Sequence, residues 1–226
     1  MSNLKISGAG PSLKEQVYYQ MLESLMKGEI PPEEIINEKA LVEHFGISKS
    51  PVREALIELC NEGVLRSIPR CGYQVMRLTD FDVANIRDWR LILECGYLKE
   101  RWHMITPEAV TQLEERWAKE MNDGDVQNVF VHWQRNNRFH LEMFSFYKNP
   151  YASEQLEKAL RTLTRAYAQF YWDKWQHTIF KVTSDYHCKL LDALRRGERD
   201  ESVKLLAKDI SHFHTHDTSA FNENMF

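Results

Sequence analysis

The sequence lacks any long apolar run. No segment of its 226 residues is long and apolar enough to cross a bilayer, and no basic residues followed by an apolar stretch open the chain. Cysteine is scarce, and its four residues are scattered without the spacing of metal ligands: Cys60, Cys71, Cys95 and Cys188. These absences argue against a membrane protein and a cysteine metal site. They predict a cytoplasmic protein with reduced thiols.

Positive charge is not in excess either. The chain has 29 lysine and arginine residues against 33 acidic residues, and its formal net charge is −4. Residues 1–77 hold nine basic and ten acidic side chains, so we do not expect strong general attraction to nucleic acid. One stretch nevertheless collects basic residues: Lys39, Lys49, Arg53, Arg66, Arg70 and Arg77. Such a local positive face predicts modest, salt-dependent affinity for non-specific DNA.

Residues 37–75 have the pattern of two helices joined by a turn and followed by a two-stranded β wing. Gly46 lies between the helices, where a left-handed backbone favours glycine. Ser48 or Ser50 can cap the second helix, and Pro51 is tolerated in its first turn. Apolar residues at helical spacing define one buried face: Leu41, Val42, Phe45, Ile47, Val52, Leu56 and Leu59.

The second helix of this motif therefore begins with an exposed polar turn, which in helix-turn-helix proteins enters the major groove. A helix predicted over residues 12–27 supports the motif. The candidate DNA-binding residues lie on the exposed turn, near the start of the preceding helix and in the wing: Lys39, Ser48, Lys49, Ser50, Arg53, Arg70 and Gly72. Their polar side chains can donate hydrogen bonds to phosphates and base edges.

This stretch resembles the winged-helix domain of GntR-type bacterial transcription regulators. The match is carried by Ile47-Ser-Lys-Ser-Pro-Val-Arg-Glu-Ala-Leu56, Gly63-Val-Leu65 and the wing Pro69-Arg-Cys-Gly-Tyr-Gln-Val75. Lys49 stands where the family usually has arginine, so bidentate recognition of guanine is lost there. The resemblance implies a regulator of transcription. We expect a repressor that binds a pseudo-palindromic double-stranded DNA operator as a homodimer.

The strand pattern stops near Arg77-Leu-Thr-Asp80, and helical patterns follow, with Thr79 or Asp80 as a cap. We therefore predict a domain boundary between residues 1–78 and residues 79–226. Six helices are expected after it, over residues 80–103, 107–122, 126–147, 151–174, 180–196 and 198–216. The predicted fold class is mainly α: an N-terminal winged helix-turn-helix with a small β wing, and a C-terminal all-helical bundle.

The bundle resembles the C-terminal ligand-binding domain of the FadR subgroup of GntR regulators, known as FCD. The match is carried by Arg90-Leu-Ile-Leu-Glu94, Asn136-Asn-Arg-Phe-His140, His187 before Leu190-Leu-Asp-Ala-Leu194, and Gly197-Glu-Arg-Asp200 leading to Asp209. In that family an aspartate and three histidines surround a divalent metal or an effector. The resemblance transfers these roles to Asn136, His140, His187 and Asp209, with His212 as a possible substitute. Asn136 departs from the family's aspartate, and Asp209 departs from its last histidine.

This set of donors is compatible with a metal. Asn136 and His140 are four residues apart and share a helix face. Two imidazoles and one carboxylate suit zinc, nickel, iron or manganese. Alternatively, the histidines bind no metal and are buried, hydrogen-bonded residues that either belong to the core or contact an effector. Arg90 and Arg165 are further effector-binding candidates, because arginine binds carboxylates and a small organic acid is the expected effector. Arg90 could instead simply pair with Glu94.

The sequence thus predicts an effector-responsive, DNA-binding transcription regulator rather than an enzyme. Two other classes stay open: a metal-dependent hydrolase, and a protein-interaction module on a degenerate winged helix. No general base or nucleophile is evident beside the expected metal ligands, and a hydrolase would leave the winged helix unexplained. The exposed turn offers donors for phosphates and bases, which argues against a pure interaction module.

Overall fold

The computed structural model describes residues 11–122, 129–171 and 178–211. The chain divides into two compact units. Among the described residues, the first unit comprises residues 11–78 and 167–171, and the second comprises residues 79–122, 129–166 and 178–211. Within the described ranges, no helix has both the length and the apolar character that a membrane span needs.

Three helices build the first unit: α1 (Leu13–Met26), α2 (Glu38–Phe45) and α3 (Lys49–Asn61). Ser12 and Glu15 form a reciprocal capping box at the start of α1. Asn37 caps α2, because its side-chain oxygen accepts a hydrogen bond from the backbone N–H of Lys39 at 2.8 Å. Gly46 ends α2 with φ of 64°, which confirms the left-handed turn between the two helices.

The first unit contains a sheet of three strands rather than the predicted two. The strands are β1 (Ile35–Ile36), β2 (Leu65–Ile68) and β3 (Gly72–Val75), in the antiparallel order β1-β3-β2. The prediction of a two-stranded wing missed β1, because two residues are too short a run to show alternation. Ile35 lies opposite Gln74 and Ile36 opposite Tyr73, so β1 ties the segment before α2 to the wing.

A separate core holds the first unit together. It combines one face of α1, the inner face of α3 and the sheet, and includes Val17, Met21, Val52, Leu56, Leu59 and Val75. Leu56 and Leu59 are completely buried, and each contributes about 1.5–3 kcal/mol through removal of its side chain from water. Helix α3 packs its apolar face against this core, so the opposite face of α3 and its first turn remain exposed.

The described part of the second unit is helical throughout. Thr79 and Asp82 form a capping box at its start, as the cap prediction at Thr79 anticipated. A single helical stretch runs through α4 (Asp80–Arg90), a π-helical turn (Leu91–Cys95) and α5 (Gly96–Glu100). A short 3-10 helix and five α-helices follow: Trp102–Met104, α6 (Pro107–Asn122), α7 (Val129–Ser145), α8 (Pro150–Tyr171), α9 (Thr178–Arg195) and α10 (Arg199–Ser211).

These helices match the six predicted ones in order, and the helix ends within the described residues differ from the predicted ends by a few residues. Residues 126–128, 172–174 and 212–216, which were also predicted to be helical, lie outside the described residues. The π-helical turn was not predicted, since apolar spacing does not distinguish it from an α-helix. The second unit has its own core, whose fully buried members include Leu98, Met143, Phe144, Leu156, Leu190 and Leu206. The core draws on α5, α7, α8, α9 and α10, and so fixes the helices that carry the polar residues described below.

Gly72 offers a test of how the wing is attached. Its φ is 135°, and a Cβ there would lie 2.3 Å from the backbone oxygen of Ile36. We expect Gly72→Ala to separate β1 from β3, because overlap with a backbone atom adds about 1–3 kcal/mol to the strain of a positive φ. Amide hydrogen exchange of the two strands measures this change.

The matched control is Gly46→Ala. Gly46 also has a positive φ, of 64°, but a Cβ there would have nothing within 4 Å. Gly46→Ala should lower the free energy of unfolding only by the strain of a left-handed alanine, about 1–2 kcal/mol. The pairing of β1 with β3 should stay intact. Equal exchange of the β1 and β3 amides in the two variants would contradict the predicted overlap.

Candidate DNA interface and candidate metal centre

The first turn of α3 is exposed on the side that does not pack against the core. Val52 is buried, whereas Lys49, Ser50 and Arg53 are exposed. Ser48 occupies the cap position of α3, but its side chain accepts no capping hydrogen bond. The hydroxyl of Ser50 donates to Glu54 Oε1 at 2.8 Å, so Ser50 does not cap the helix.

A cleft between the start of α2, the start of α3 and the wing brings several predicted DNA-binding residues together. Lys39, Lys49, Arg70 and Gly72 all line it. Arg70 is exposed in the turn between β2 and β3 and has φ of 65°. Ser48, Ser50 and Arg53 are not among the residues that line this cleft. They lie on the exposed start of α3.

Glu38 is a residue of this cleft that sequence reasoning did not single out. Its Oε1 lies 3.1 Å from Lys49 Nζ, and its Oε2 accepts a hydrogen bond from the Tyr73 hydroxyl at 3.4 Å. Burial raises the pKa of Tyr73, and the negative charge of Glu38 raises it further, while the charge of Arg53 opposes this shift. Glu38 therefore holds Lys49 near the wing from the first turn of α2. No sequence pattern indicated a pair between residues 38 and 49.

Three buried side chains of the second unit converge, as the second resemblance predicted. His140 lies on α7, His187 on α9 and Asp209 on α10, and their potential ligand atoms all lie within 4.8 Å of one another. Asp209 Oδ2 is 3.0 Å from His140 Nε2 and 3.3 Å from His187 Nε2. Asn136 is also buried, one turn before His140 on α7.

Aromatic side chains hold the His187 ring in place. The ring stacks on Phe139, with centroids 4.0 Å apart and an angle of 19° between the planes. The indole of Trp117 on α6 meets the same ring edge-on at 4.7 Å. These contacts define the position of the imidazole without using either ring nitrogen as a hydrogen-bond donor.

Several polar atoms of this cluster have no hydrogen-bond partner within the described residues, although they are buried. They are Asn136 Oδ1, both ring nitrogens of His187 and Asp209 Oδ1. The 3.3 Å contact of His187 Nε2 with Asp209 Oδ2 is an electrostatic one and does not have the geometry of a hydrogen bond. Burial of unsatisfied polar atoms is costly, and such atoms commonly bind water, a metal or a ligand. Because they are nitrogen and oxygen atoms of the types that zinc, nickel, iron and manganese accept, the residues fit a divalent metal.

In this cluster, burial and the neighbouring charges have opposing effects on the pKa values of the side chains. Burial alone would raise the pKa of Asp209, but His187 and His140 outweigh it and hold that pKa well below its usual range. Burial would lower the pKa of His140, but the charge of Glu94 and hydrogen bonds with Asp209 and Glu94 raise it. Burial lowers the pKa of His187, and the opposing effect of Asp209 is smaller. The pKa of His140 is therefore held above the usual value of a histidine, and the pKa of His187 is held below it.

Glu94 makes one contact that the sequence analysis allowed for and a second that it did not predict. The alternative of an Arg90–Glu94 pair is correct, since Arg90 Nε donates to Glu94 Oε1 at 2.6 Å. Glu94 Oε2, however, also lies 2.6 Å from His140 Nδ1. Burial would raise the pKa of Glu94, but the charges of Arg90 and His140 outweigh it and lower that pKa. This favours a carboxylate at Glu94 that accepts from Nδ1–H of His140.

Two arginines were also candidates for the effector site. Arg90 is buried on α4, and its Nη2 has no hydrogen-bond partner within the described residues. Arg90 contacts the cluster through Glu94. Arg165 is buried on α8. His212, the possible substitute ligand, lies outside the described residues.

A winged helix-turn-helix and an all-helical unit with a buried cluster of histidine and carboxylate are the parts of a two-domain bacterial regulator. The family described as "Bacterial regulatory proteins, gntR family" matches residues 13–75, and the FCD domain matches residues 85–212. The chain therefore belongs to the GntR family and carries an FCD domain. Both resemblances found in the sequence are confirmed. The family is one of regulatory proteins, which agrees with the prediction of a non-enzyme.

Individual relatives support the same family. The uncharacterized HTH-type transcriptional regulator YdhC of Bacillus subtilis is 31% identical over 145 residues, which cover 63% of this chain and 64% of the relative. The gluconate operon transcriptional repressor of Bacillus subtilis is 27% identical over 159 residues, 70% of this chain and 58% of that protein. The chain thus spans less than two thirds of these relatives' lengths.

A solved structure shows the same fold. Escherichia coli McbR/YncC superposes with a TM-score of 0.72 at 22% identity, covering 90% of this chain and 95% of that chain.

Proposed function

We propose that the chain is a DNA-binding transcription regulator that represses its target genes and responds to an effector in its helical unit. The observation that carries this proposal is the convergence of Lys39, Lys49 and Arg70 on one cleft beside the exposed first turn of α3. A helix start and a wing that both offer cationic side chains fit the major groove and the adjacent phosphates. A regulator of bacterial operators acts in the cytoplasm, which is the location we propose.

The regulator would act as a homodimer on a pseudo-palindromic operator. One winged helix presents a single short recognition turn, which contacts too few bases for useful specificity in a genome. Two copies related by a two-fold axis read two half-sites and roughly double the binding free energy. Light scattering of the free protein and of its complex with DNA tests the stoichiometry. A protein that is monomeric in both would contradict the proposal.

The effector site that we propose lies around Asn136, His140, His187 and Asp209. A divalent metal would supply positive charge and an open position for a carboxylate ligand. His187 would offer a nitrogen that makes no hydrogen bond in the described cluster, and His140 would offer Nε2 once its proton is lost. Arg90 Nη2 is a buried donor without a partner in that cluster, and it suits the carboxylate of a small organic acid. Arg165 is a second candidate for the same role.

Effector binding would control DNA binding through a change in the population of two conformations. A ligand shifts such an equilibrium only by its different affinity for the two states. The cluster joins α4, α7, α9 and α10 through buried polar contacts. An anion bound among these helices would alter those contacts. If the anion binds one conformation more tightly than the other, the affinity for the operator changes by the same coupling free energy.

Removal of a cation from the start of α3 tests the recognition turn. We expect Arg53→Ala and Lys49→Ala each to weaken binding to an operator selected from random duplexes by about 1–3 kcal/mol if the side chain contacts a base. Both side chains are exposed, so the fold should be unaffected. Electrophoretic mobility shift at fixed salt measures the affinity.

The control for these variants is Lys14→Ala, which removes the same charge from α1, where Lys14 pairs with Glu58 at 2.7 Å. It should bind the operator nearly as well as the wild type. If Arg53→Ala and Lys49→Ala both bind as tightly as Lys14→Ala, the proposed placement of α3 in the groove is wrong.

Glu38→Gln tests the acidic residue of the cleft. The change frees Lys49 and removes a negative charge that repels phosphates. We expect affinity for non-specific DNA to rise by up to about fivefold, since an ion pair with an exposed lysine is worth about 0.2–1 kcal/mol. Titration of a labelled duplex by fluorescence anisotropy measures this rise.

Glu58→Gln is the control for Glu38→Gln. It removes the same negative charge, but from the ion pair between Glu58 and Lys14 and not from the cleft. A similar rise in both variants would assign the effect to net charge and not to the cleft.

Substitution of the proposed ligands tests the metal. We expect His140→Ala and His187→Ala each to abolish uptake of zinc, nickel or manganese, and Asn136→Asp to strengthen it by supplying a charged ligand in place of a neutral one. Elemental analysis after dialysis against each metal gives the stoichiometry. His103→Ala removes an exposed histidine and should retain wild-type uptake.

A wild-type protein that takes up none of these metals would remove the metal from the proposal. The histidines would then remain candidates for direct contact with the effector.

A further inference from the structure

We propose that Glu94 is a positioning residue of the metal centre, which orients the His140 ring so that its Nε2 faces the metal. Arg90 and the π-helical turn Leu91–Cys95 hold Glu94 in place for this role. This role rests on the proposed metal-binding function. Glu94 itself is not one of the proposed metal ligands.

The two carboxylate oxygens of Glu94 have different partners. Oε1 accepts from Arg90 Nε at 2.6 Å, and Oε2 accepts from His140 Nδ1 at 2.6 Å. A carboxylate held at both oxygens cannot rotate without loss of one bond. Because Nδ1 is fixed by Glu94, the opposite nitrogen of the ring is directed at Asp209, with Nε2 3.0 Å from Oδ2.

This arrangement matches the way in which metal-binding histidines are usually supported. A histidine ligand commonly donates its second ring N–H to a carboxylate, which fixes the tautomer and makes the ligating nitrogen more basic. His140 has such a carboxylate behind it, whereas neither ring nitrogen of His187 makes a hydrogen bond with a described residue. Since Asn136 is a neutral donor, the negative charge that Glu94 contributes through His140 is important for affinity.

The π-helical turn that follows α4 carries Glu94. Arg90 is the last residue of α4, and the π-helical turn that follows carries Glu94 and Cys95 into the interior. Glu94 is fully buried. Single π-helical turns inside α-helices occur frequently at functional sites. The same helical stretch thereby buries Arg90 and Glu94 four residues apart, on the side of His140.

A purely structural role is a poor explanation for this buried pair. Burial of two charges costs more than their attraction commonly returns, and apolar replacements are often equally stable. Arg90 Nη2 and the ring nitrogens of His187 are also left without partners among the described residues. The arrangement is therefore better suited to holding His140 than to stabilising the fold.

Glu94→Gln tests the proposal in the full-length protein. The substitution keeps the shape and an acceptor oxygen but removes the charge. We expect zinc affinity to fall about 10- to 100-fold, the usual effect of losing such a supporting group. Competition with a chromophoric chelator measures it.

The matched control is Glu142→Gln on α7, two residues after His140. Glu142 pairs with Arg116 at 2.6 Å on the exposed side of the helix. It should retain wild-type zinc affinity. Equal zinc affinity in Glu94→Gln and the wild type would overturn the positioning role, as would an equal loss in both variants. Absence of zinc from the wild type would instead overturn the proposed metal site.

Two further measurements keep the test decisive if Glu94→Gln does not fold. Arg90→Gln combined with Glu94→Gln removes both buried charges together, so no uncompensated charge remains, and its zinc affinity should fall in the same range. In the zinc-loaded wild type, nitrogen-15 spectra of the imidazoles should show His140 as an Nδ1–H tautomer, assigned by its absence in His140→Ala. Coordination of zinc through Nδ1 of His140 would refute the proposal without any variant of Glu94.

Discussion

His140 lies between two buried carboxylates, and the candidate metal centre of the helical unit depends on that contact. Glu94 binds one ring nitrogen at 2.6 Å, and Asp209 lies 3.0 Å from the other. Water does not reach any of the three side chains, so each carboxylate depends on protein partners. Loss of one partner would strand a buried charge, which typically costs about 3–5 kcal/mol. The separations of the π-helical turn, α7 and α10 are therefore set by hydrogen-bond lengths as well as by apolar packing.

The winged helix uses charge in the opposite way. The contact between Lys49 and Glu38 is exposed at the lysine, and exposed pairs contribute little to stability. Such a pair can be exchanged for a phosphate at small cost. The core of this unit, with Leu56 and Leu59 on α3, supplies the rigidity that the exposed turn needs. One unit thus keeps its charges fixed in the interior, and the other keeps them available at the surface.

The sequence predicted most of the helices because apolar spacing, caps and turn residues are local signals. Gly46 and Thr79 both lie at the positions that these signals indicate. The strand Ile35–Ile36 was missed because its only evidence is pairing with Tyr73 and Gln74, which are distant in sequence. The π-helical turn at Leu91–Cys95 was missed because it keeps the apolar spacing of an α-helix. His140, His187 and Asp209 were found through family motifs and not through periodicity.

The sequence by itself determined the two-domain order, the helical character of the second unit and the residue types that can bind a metal or an anion. These properties follow from neighbours along the chain. The sequence allowed the Arg90–Glu94 pair, but only the tertiary structure decided that Glu94 also reaches His140 and that Glu38 reaches Lys49. Residues 94 and 140 lie on different helices, and their approach depends on how those helices pack. Burial then gives the contact its importance, because a charge becomes dependent on its partner only where water is excluded.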